Sequence, residues 1–238
     1  MSNLYYTISK EIFDKYPGYS RGVVLAFEVK NNNPSDRLID LLRQAEASVR
    51  KQVALENIAE HPRIKCWREA YKAFGAKPSE FRSSIEAMTR RALRGDFLPS
   101  INPLVDIGNI ISLQHLVPTG GHAIDKLEQD MELRIASGNE TFEPFGTHDL
   151  EHPLPGEVIF AEGDIVLTRR WTWRQANRTL TLPETTAIEF NIDVLPPVEE
   201  AEIHQIAHEV MDMVKEFCGG RCRYEILTAE NPRMKLAE

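Results

Sequence analysis

No stretch of the chain approaches the roughly 18 uninterrupted apolar residues that a membrane-spanning helix requires. The first residues, MSNLYYTISKEIF, lack the basic and apolar blocks of a secretory leader. Together these absences point to a cytoplasmic protein with no membrane partner. Cysteine is scarce: Cys66, Cys218 and Cys222 are an odd set of three, which makes no disulfide framework, and a reducing compartment keeps them as thiols. Cys66 reads as a core residue. Cys218 and Cys222 flank Gly219-Gly220 and can pair or bind a metal, but two ligands do not close a zinc site.

Several chemical signatures are also missing. The chain has no Walker-type phosphate loop, no GxGxxG after the apolar segment at 23–29, and no GxSxG elbow, so nucleotide hydrolysis, nicotinamide chemistry and serine hydrolysis lack support. His204 and His208 stand one helical turn apart, yet Gln205 occupies the place where a zinc protease needs glutamate. His148 and His152 share that spacing without a helix to align them. No metal and no cofactor is expected.

Positive charge is in deficit overall, with a formal net charge of −8, which argues against a surface built as a whole for nucleic acid. Its distribution is uneven, however. From Arg63 to Arg94 there are nine Lys or Arg against three Glu, and Arg169 to Arg178 adds four Arg and no acid. Such patches attract phosphate locally or form solvated helix faces, and charge alone leaves both open.

What is present suggests one α+β domain spanning residues 1–238, with helices mainly in the first half and a largely antiparallel or mixed sheet in the second. The segment at 22–29 is rich in β-formers. A helix follows, with Asn33 as cap and Pro34 at its first position, then a second from Pro62 to Phe74 stopped by Gly75. A third begins after Pro78 with Ser79 as cap and ends at Gly95; its outer face carries Arg82, Arg90, Arg91 and Arg94. Ile101 to Leu116 is a mostly apolar helix with Asp106 and Asn109 on one face. Pro118-Thr119-Gly120-Gly121 reads as a loop before His122. Strands are expected at 131–136, 157–160, 164–173, 178–182 and 186–194, then a helix at 198–217 and a last strand at 224–228. Within 164–173, strand alternation puts Trp171 and Trp173 on a core face and Arg170, Thr172 and Arg174 on the opposite one, where guanidinium groups suit phosphate or carboxylate ligands.

The run VDIGNIISL at 105–113, the segment His122-Ala123-Ile124-Asp125, the strand and turn Leu133-Arg134-Ile135-Ala136 and Gly138-Asn139-Glu140, and Thr186-Ala187-Ile188-Glu189 resemble, in order and spacing, the B3/B4 editing module of the phenylalanyl-tRNA synthetase beta subunit. The match spans about 65–195, and the chain is also similar to stand-alone members of that group, which carry FRSSIEAMTRRALRG, PGEVIF and RRWTWR. It departs from the synthetase in a longer loop before His122 and in Gly108, where Thr is usual. Nothing resembles the aminoacylation core, so amino-acid activation is not expected.

The resemblance implies a protein that binds tRNA or aminoacyl-tRNA and hydrolyses mischarged aminoacyl-tRNA in trans, with no sequence-specific DNA binding. Asn109 and His122 would hold the attacking water or the ribose hydroxyls, and backbone N–H groups at Gly120 and Gly121 would receive the oxyanion. Glu189 would read the amino acid, beside Asp106 as a further pocket residue. Arg170 and Arg174 would bind substrate, and Arg82, Arg90, Arg91 and Arg94 the RNA backbone. Two other readings stay open: a non-catalytic RNA-binding module, and a small-molecule or amino-acid-binding protein that has lost tRNA.

Overall fold

The apolar segment near the start becomes the centre of a sheet. The computed structural model describes residues 4–237. In it β1 (Tyr5–Ile8) and a short α1 (Lys10–Lys15) lead into β2 (Ser20–Phe27), which is buried on both faces. Helix α2 (Asp36–Gln52) starts at Ser35, whose Oγ accepts from Leu38 N–H, so the cap lies two residues beyond the expected Asn33. Helix α3 (Pro62–Ala73) follows the predicted bounds. Helix α4 (Ser84–Arg94) begins at Ser83 and not Ser79, because Lys77 O accepts from both Glu80 and Phe81 N–H and holds 77–81 as a turn. Gly95 ends it at φ 90°, a conformation that glycine adopts without strain. Helix α5 (Pro103–His115) is capped by Asn102 and almost wholly buried.

The remaining strands are β3 (Thr119–Ala123), β4 (Met131–Ile135), β5 (Val158–Glu162), β6 (Ile165–Arg169), β7 (Arg174–Gln175) and β8 (Ala187–Val194). Helix α6 (Glu200–Phe217), β9 (Arg221–Leu227) and β10 (Arg233–Lys235) complete the chain. The strands form a mixed six-stranded sheet in the order β10-β1-β4-β5-β6-β7 and an antiparallel four-stranded sheet in the order β3-β8-β2-β9. The fold is α+β, with the longer helices mostly ahead of the sheet strands.

Three local expectations are corrected. Thr119-Gly120-Gly121 is an edge strand rather than a loop, paired with β8. The strand expected to run to Trp173 stops at Arg169, since Arg170 (φ 46°) and Trp171 (φ 65°) turn left-handed. Consequently Trp171 and Trp173 do not share a strand face. Residues 178–182 form no strand; Thr181 O and Leu182 O are instead held by Asn102 and Asn31 side chains.

Packing explains how the two sheets share one core. One face of the four-stranded sheet is covered by α5 and α6, so closely that a Cβ at Gly22 would meet Ile203 Cγ2 at 2.6 Å. The opposite face looks at the six-stranded sheet: Arg21 lies 5.2 Å from the Phe160 ring, and the His122 ring 5.1 Å from it. Both faces of β8 are therefore buried, although its sequence alternates polar Glu189, Asn191 and Asp193 with apolar Ile188, Phe190 and Ile192. A buried polar row of this kind needs internal partners.

Candidate functional site

Edge strand β3 leaves a cleft between itself, α5 and the β6–β7 turn. The cleft has two joined compartments that share Asn109, Gly120, Gly121, Trp173, Arg174 and Gln175 as wall. The inner one, about 170 Å³, is floored by Arg21, His122, Phe160, Thr168 and Asn191. The outer one, about 520 Å³, is lined chiefly by apolar side chains, among them Leu104, Phe145, Leu182 and Ile188.

His122 projects from β3 into the inner compartment with both ring nitrogens engaged. Nδ1 is 2.6 Å from Thr179 Oγ1 and Nε2 is 3.1 Å from Thr168 Oγ1. Burial, reinforced by the nearby Arg21 charge, pushes its pKa down to about 3, so the ring is neutral at pH 7. A neutral imidazole orients hydroxyls well and takes up protons poorly. Gln175 braces this edge from outside, its Nε2 donating to Gly121 O at 3.1 Å and to Thr179 O at 3.0 Å. Ladder geometry fixes which glycine offers a free donor. Asp193 N–H donates to Pro118 O and Ile124 N–H to Ala187 O, so alternation pairs Gly120 with Asn191 and turns Gly121 N–H away from β8. Gly120 N–H is thus committed to the sheet, and Gly121 alone presents its N–H outward.

Glu189 lies directly across the ladder from His122 but lines neither compartment. It is fully buried; Asn191 Nδ2 donates to Oε1 at 3.1 Å, and Oε2 has no hydrogen-bond partner among the described residues. Burial pushes its pKa up to about 8, against the opposing pull of Arg21, so this carboxyl is largely protonated at pH 7. Four residues on, Asp193 accepts from Arg21 Nε at 2.7 Å and from the Tyr19 hydroxyl. Burial disfavours the Arg21 charge, yet the Asp193 carboxylate holds the guanidinium's pKa well above the usual value. Beneath the inner compartment there is accordingly one compensated ion pair and one neutral acid.

Asn109, His122, Gly121 and Arg174 are brought together in the cleft, whereas Asp106 and Arg170 lie outside its lining. Asp106 accepts from Ser100 Oγ and Ile101 N–H, securing the approach to α5. The Arg170 guanidinium sits 3.7 Å over the Phe81 ring and 4.4 Å over that of Trp173, near Glu157. Trp171 fills an aromatic cage of Tyr16, Tyr19 and Trp67, while Trp173 is half-buried in the cleft wall. The left-handed pair at 170–171 is held by Arg170 N–H donating to Glu157 and Trp171 N–H donating to Val158 O. Arg169 forks onto the same Glu157 with two 2.9 Å bonds.

The sequence profile of the B3/4 domain matches residues 66–219. The chain belongs to the B3/4 domain family. Among solved structures it is similar to an N-terminal fragment of the phenylalanyl-tRNA synthetase beta subunit from Pyrococcus horikoshii, at 11% identity and a TM-score of 0.46; the match covers 93% of this chain, which spans about half (51%) of that one. No curated protein matches the sequence.

In this B3/4 domain the basic face expected on α4 is partly turned inward. Arg68 Nη1 and Arg90 Nε reach the fully buried Glu86 carboxylate at 2.7 and 2.9 Å, and Arg82 stands 4.0 Å from it. Arg91, which donates to Phe97 O, and Arg94 are exposed. Elsewhere, the Tyr224 hydroxyl lies between His204 Nδ1 and His208 Nε2, at 3.1 and 3.3 Å. His148 pairs with Glu143, and His152 Nδ1 donates to Glu140 O. Among the described residues no helix is long and apolar enough to cross a membrane. Arg21, Thr168, Thr179, Gln175 and Asn191 are site residues that pattern reading passed over. Arg21 had a signal, a charge at the mouth of an otherwise apolar strand; the others join the site only through tertiary pairing.

Proposed function

We propose that this B3/4 domain binds the aminoacylated 3′ end of a tRNA in the cleft and hydrolyses its ester. One observation carries the reading: Asn109 from α5, Gly121 and His122 from β3, and Gln175 from β7 meet in the wall of a single compartment. Ester hydrolysis asks for a held water, a donor facing the carbonyl oxygen as it gains charge, and contacts that fix the ribose. The outward Gly121 N–H suits the oxyanion, and Asn109 suits a ribose hydroxyl or the water.

Water adds to the carbonyl carbon, the bond from that carbon to the ribose oxygen breaks, and the proton passes to the departing ribose oxygen. Free amino acid and an uncharged 3′ end are the products. His122 acts by holding Thr168 and Thr179 in place and not as a strong base, as its low pKa requires. Glu189 acts one step back from the substrate. Its bond to Asn191 fixes the orientation of a carboxamide that lines the inner compartment, and through it Glu189 influences which aminoacyl group is accepted.

The test is a panel of correctly charged and mischarged tRNAs incubated with wild-type protein, Asn109→Ala and His122→Ala, following loss of the ester. At least one mischarged tRNA should lose its ester faster than without protein, and each variant should slow that loss by about a hundredfold, the scale of removing one group that positions the reaction. Equal ester loss with and without wild-type protein across the whole panel overturns the reading.

A further inference from the structure

We infer that two copies of this chain join through β9, each adding the strand to the other's four-stranded sheet, antiparallel and centred on Tyr224. Strand β9 ends that sheet and is the longest edge strand among the described residues, seven residues against five in β3, three in β10 and two in β7. Its sequence, RCRYEIL, carries none of the lysine or proline with which exposed edges are commonly protected from pairing.

Ladder alternation tells which backbone groups of β9 are free. Asp193 N–H donates to Pro118 O, so Asp193, Asn191 and Glu189 bond toward β3, while Ile192, Phe190 and Ile188 bond toward β2. Their partners Gly22, Val24 and Ala26 are thereby committed to β8, which leaves Arg21, Val23, Leu25 and Phe27 to bond β9. These four face Leu227, Glu225, Arg223 and Arg221. The N–H and C=O groups of Cys222, Tyr224 and Ile226 therefore point away from the sheet. Ile226 O accepts a long 3.3 Å bond from Asn231 Nδ2, as that direction requires. Among the described residues nothing hydrogen-bonds the outward backbone groups of Cys222 or Tyr224.

Charge sets the register and selects the partner. With a two-fold axis at Tyr224, this residue exchanges ladder bonds with the partner's Tyr224, and Cys222 does so with the partner's Ile226. Arg223 then stands opposite the partner's Glu225 at the closer, non-hydrogen-bonded spacing, and Glu225 opposite the partner's Arg223. Both side chains reach solvent, 31% and 38% exposed, and they already pair at 2.8 Å within one chain. Centring the pair on Arg223 or on Glu225 instead would set like charges face to face. A second copy supplies the complementary row by symmetry, which an unrelated strand does not. On the other face Tyr224 lies against His204 and His208 of α6, so the rings of the two copies meet at the axis. The joined sheet carries β3 at each far end, and both clefts stay open.

Sedimentation of the full chain over a range of concentrations tests the pairing. Wild type should pass from monomer to dimer as concentration rises. Arg223→Glu and Glu225→Arg should each weaken the dimer about tenfold or more, because two attractive cross-strand pairs become repulsive. An equimolar mixture of the two variants should recover it, since every Glu then faces an Arg. Tyr224→Pro removes an outward N–H without touching the bonds to β2, and it should be a folded monomer by circular dichroism. Wild type that stays monomeric at every concentration overturns the inference and leaves the edge to a foreign strand. Dimers of undiminished strength in the single variants or in Tyr224→Pro overturn it too, as does a mixture that fails to recover the dimer. Arg223 also holds Lys235 O and Ala237 O, so if Arg223→Glu does not fold, Glu225→Arg and Tyr224→Pro decide the matter alone.

Discussion

At the scale of single residues, Glu189 and His122 face each other across two strands and respond to pH in opposite senses. Glu189 has its folded pKa raised from 4.5 to about 8. Its neutral form is what the fold accommodates, so its contribution is fully present below about pH 4.5 and is lost as pH rises through 8. In Glu189→Gln no carboxylate can form. The variant should match wild type near pH 5 and exceed it above pH 8, by at most about 5 kcal/mol and by less if water reaches the site, as read from urea midpoints at the two pH values. His122 is the reverse case, lowered from 6.5 to about 3. Its contribution is complete above 6.5 and lost toward acid, and ¹⁵N shifts of the ring should report a neutral imidazole down to about pH 4. A ring titrating near its ordinary value would mean that the inner compartment is wet. The family motifs pointed to Asn109 and His122, which the fold brings to one cleft, and to Glu189, which it places behind the lining and not in it. Thr168, Gln175 and Arg21 were not legible in the sequence, since their interactions with His122 or its surroundings join residues 46, 53 and about 100 positions apart.

At the scale of elements, legibility followed local signals. The helices announced themselves through apolar spacing and a serine or asparagine near the start, with the caps of α2 and α4 lying two and four residues beyond the expected Asn33 and Ser79. Strand β3 gave no such signal. Thr119-Gly120-Gly121 has little intrinsic tendency to extend, and it does so because β8 offers a ladder on one side while the Ser112 hydroxyl satisfies both Thr119 N–H and Thr119 O on the other. The left-handed break after Arg169 is likewise imposed from outside, by Glu157 and the cage around Trp171. Helix α5 permits two opposite tests. Asn102 caps it by accepting from Val105 N–H and also ties down Thr181 O, so Asn102→Ala should cost about 1–3 kcal/mol in thermal or urea unfolding. Gly108 lies in the helix interior where a methyl group fits without a clash, since a Cβ would stand at ordinary contact distance, 3.6 Å from Thr119 O and 3.8 Å from Phe190. Gly108→Ala should therefore raise stability by about 0.5–1 kcal/mol.

At the scale of the whole molecule, an acidic chain with a formal charge of −8 meets a polyanion only through the positive groups it leaves uncommitted. Glu86 engages Arg68 and Arg90, so reversing Arg90 should mainly destabilise the fold, whereas reversing exposed Arg91 and Arg94 should weaken tRNA binding with the fold intact. A salt series distinguishes the two: in the Arg91→Glu, Arg94→Glu protein the slope of log affinity against log salt should shrink by roughly 0.7–0.9 for each phosphate that is no longer neutralised. The order of the six-stranded sheet has a practical consequence. Tyr5 in β1 and Lys235 in β10 are paired neighbours at one margin, and β7, in the cleft wall, forms the other, five strand spacings or about 24 Å away. A fluorophore placed on the exposed Lys235 side chain would sit at the margin opposite β7, so labelled protein should bind ligand as unlabelled protein does.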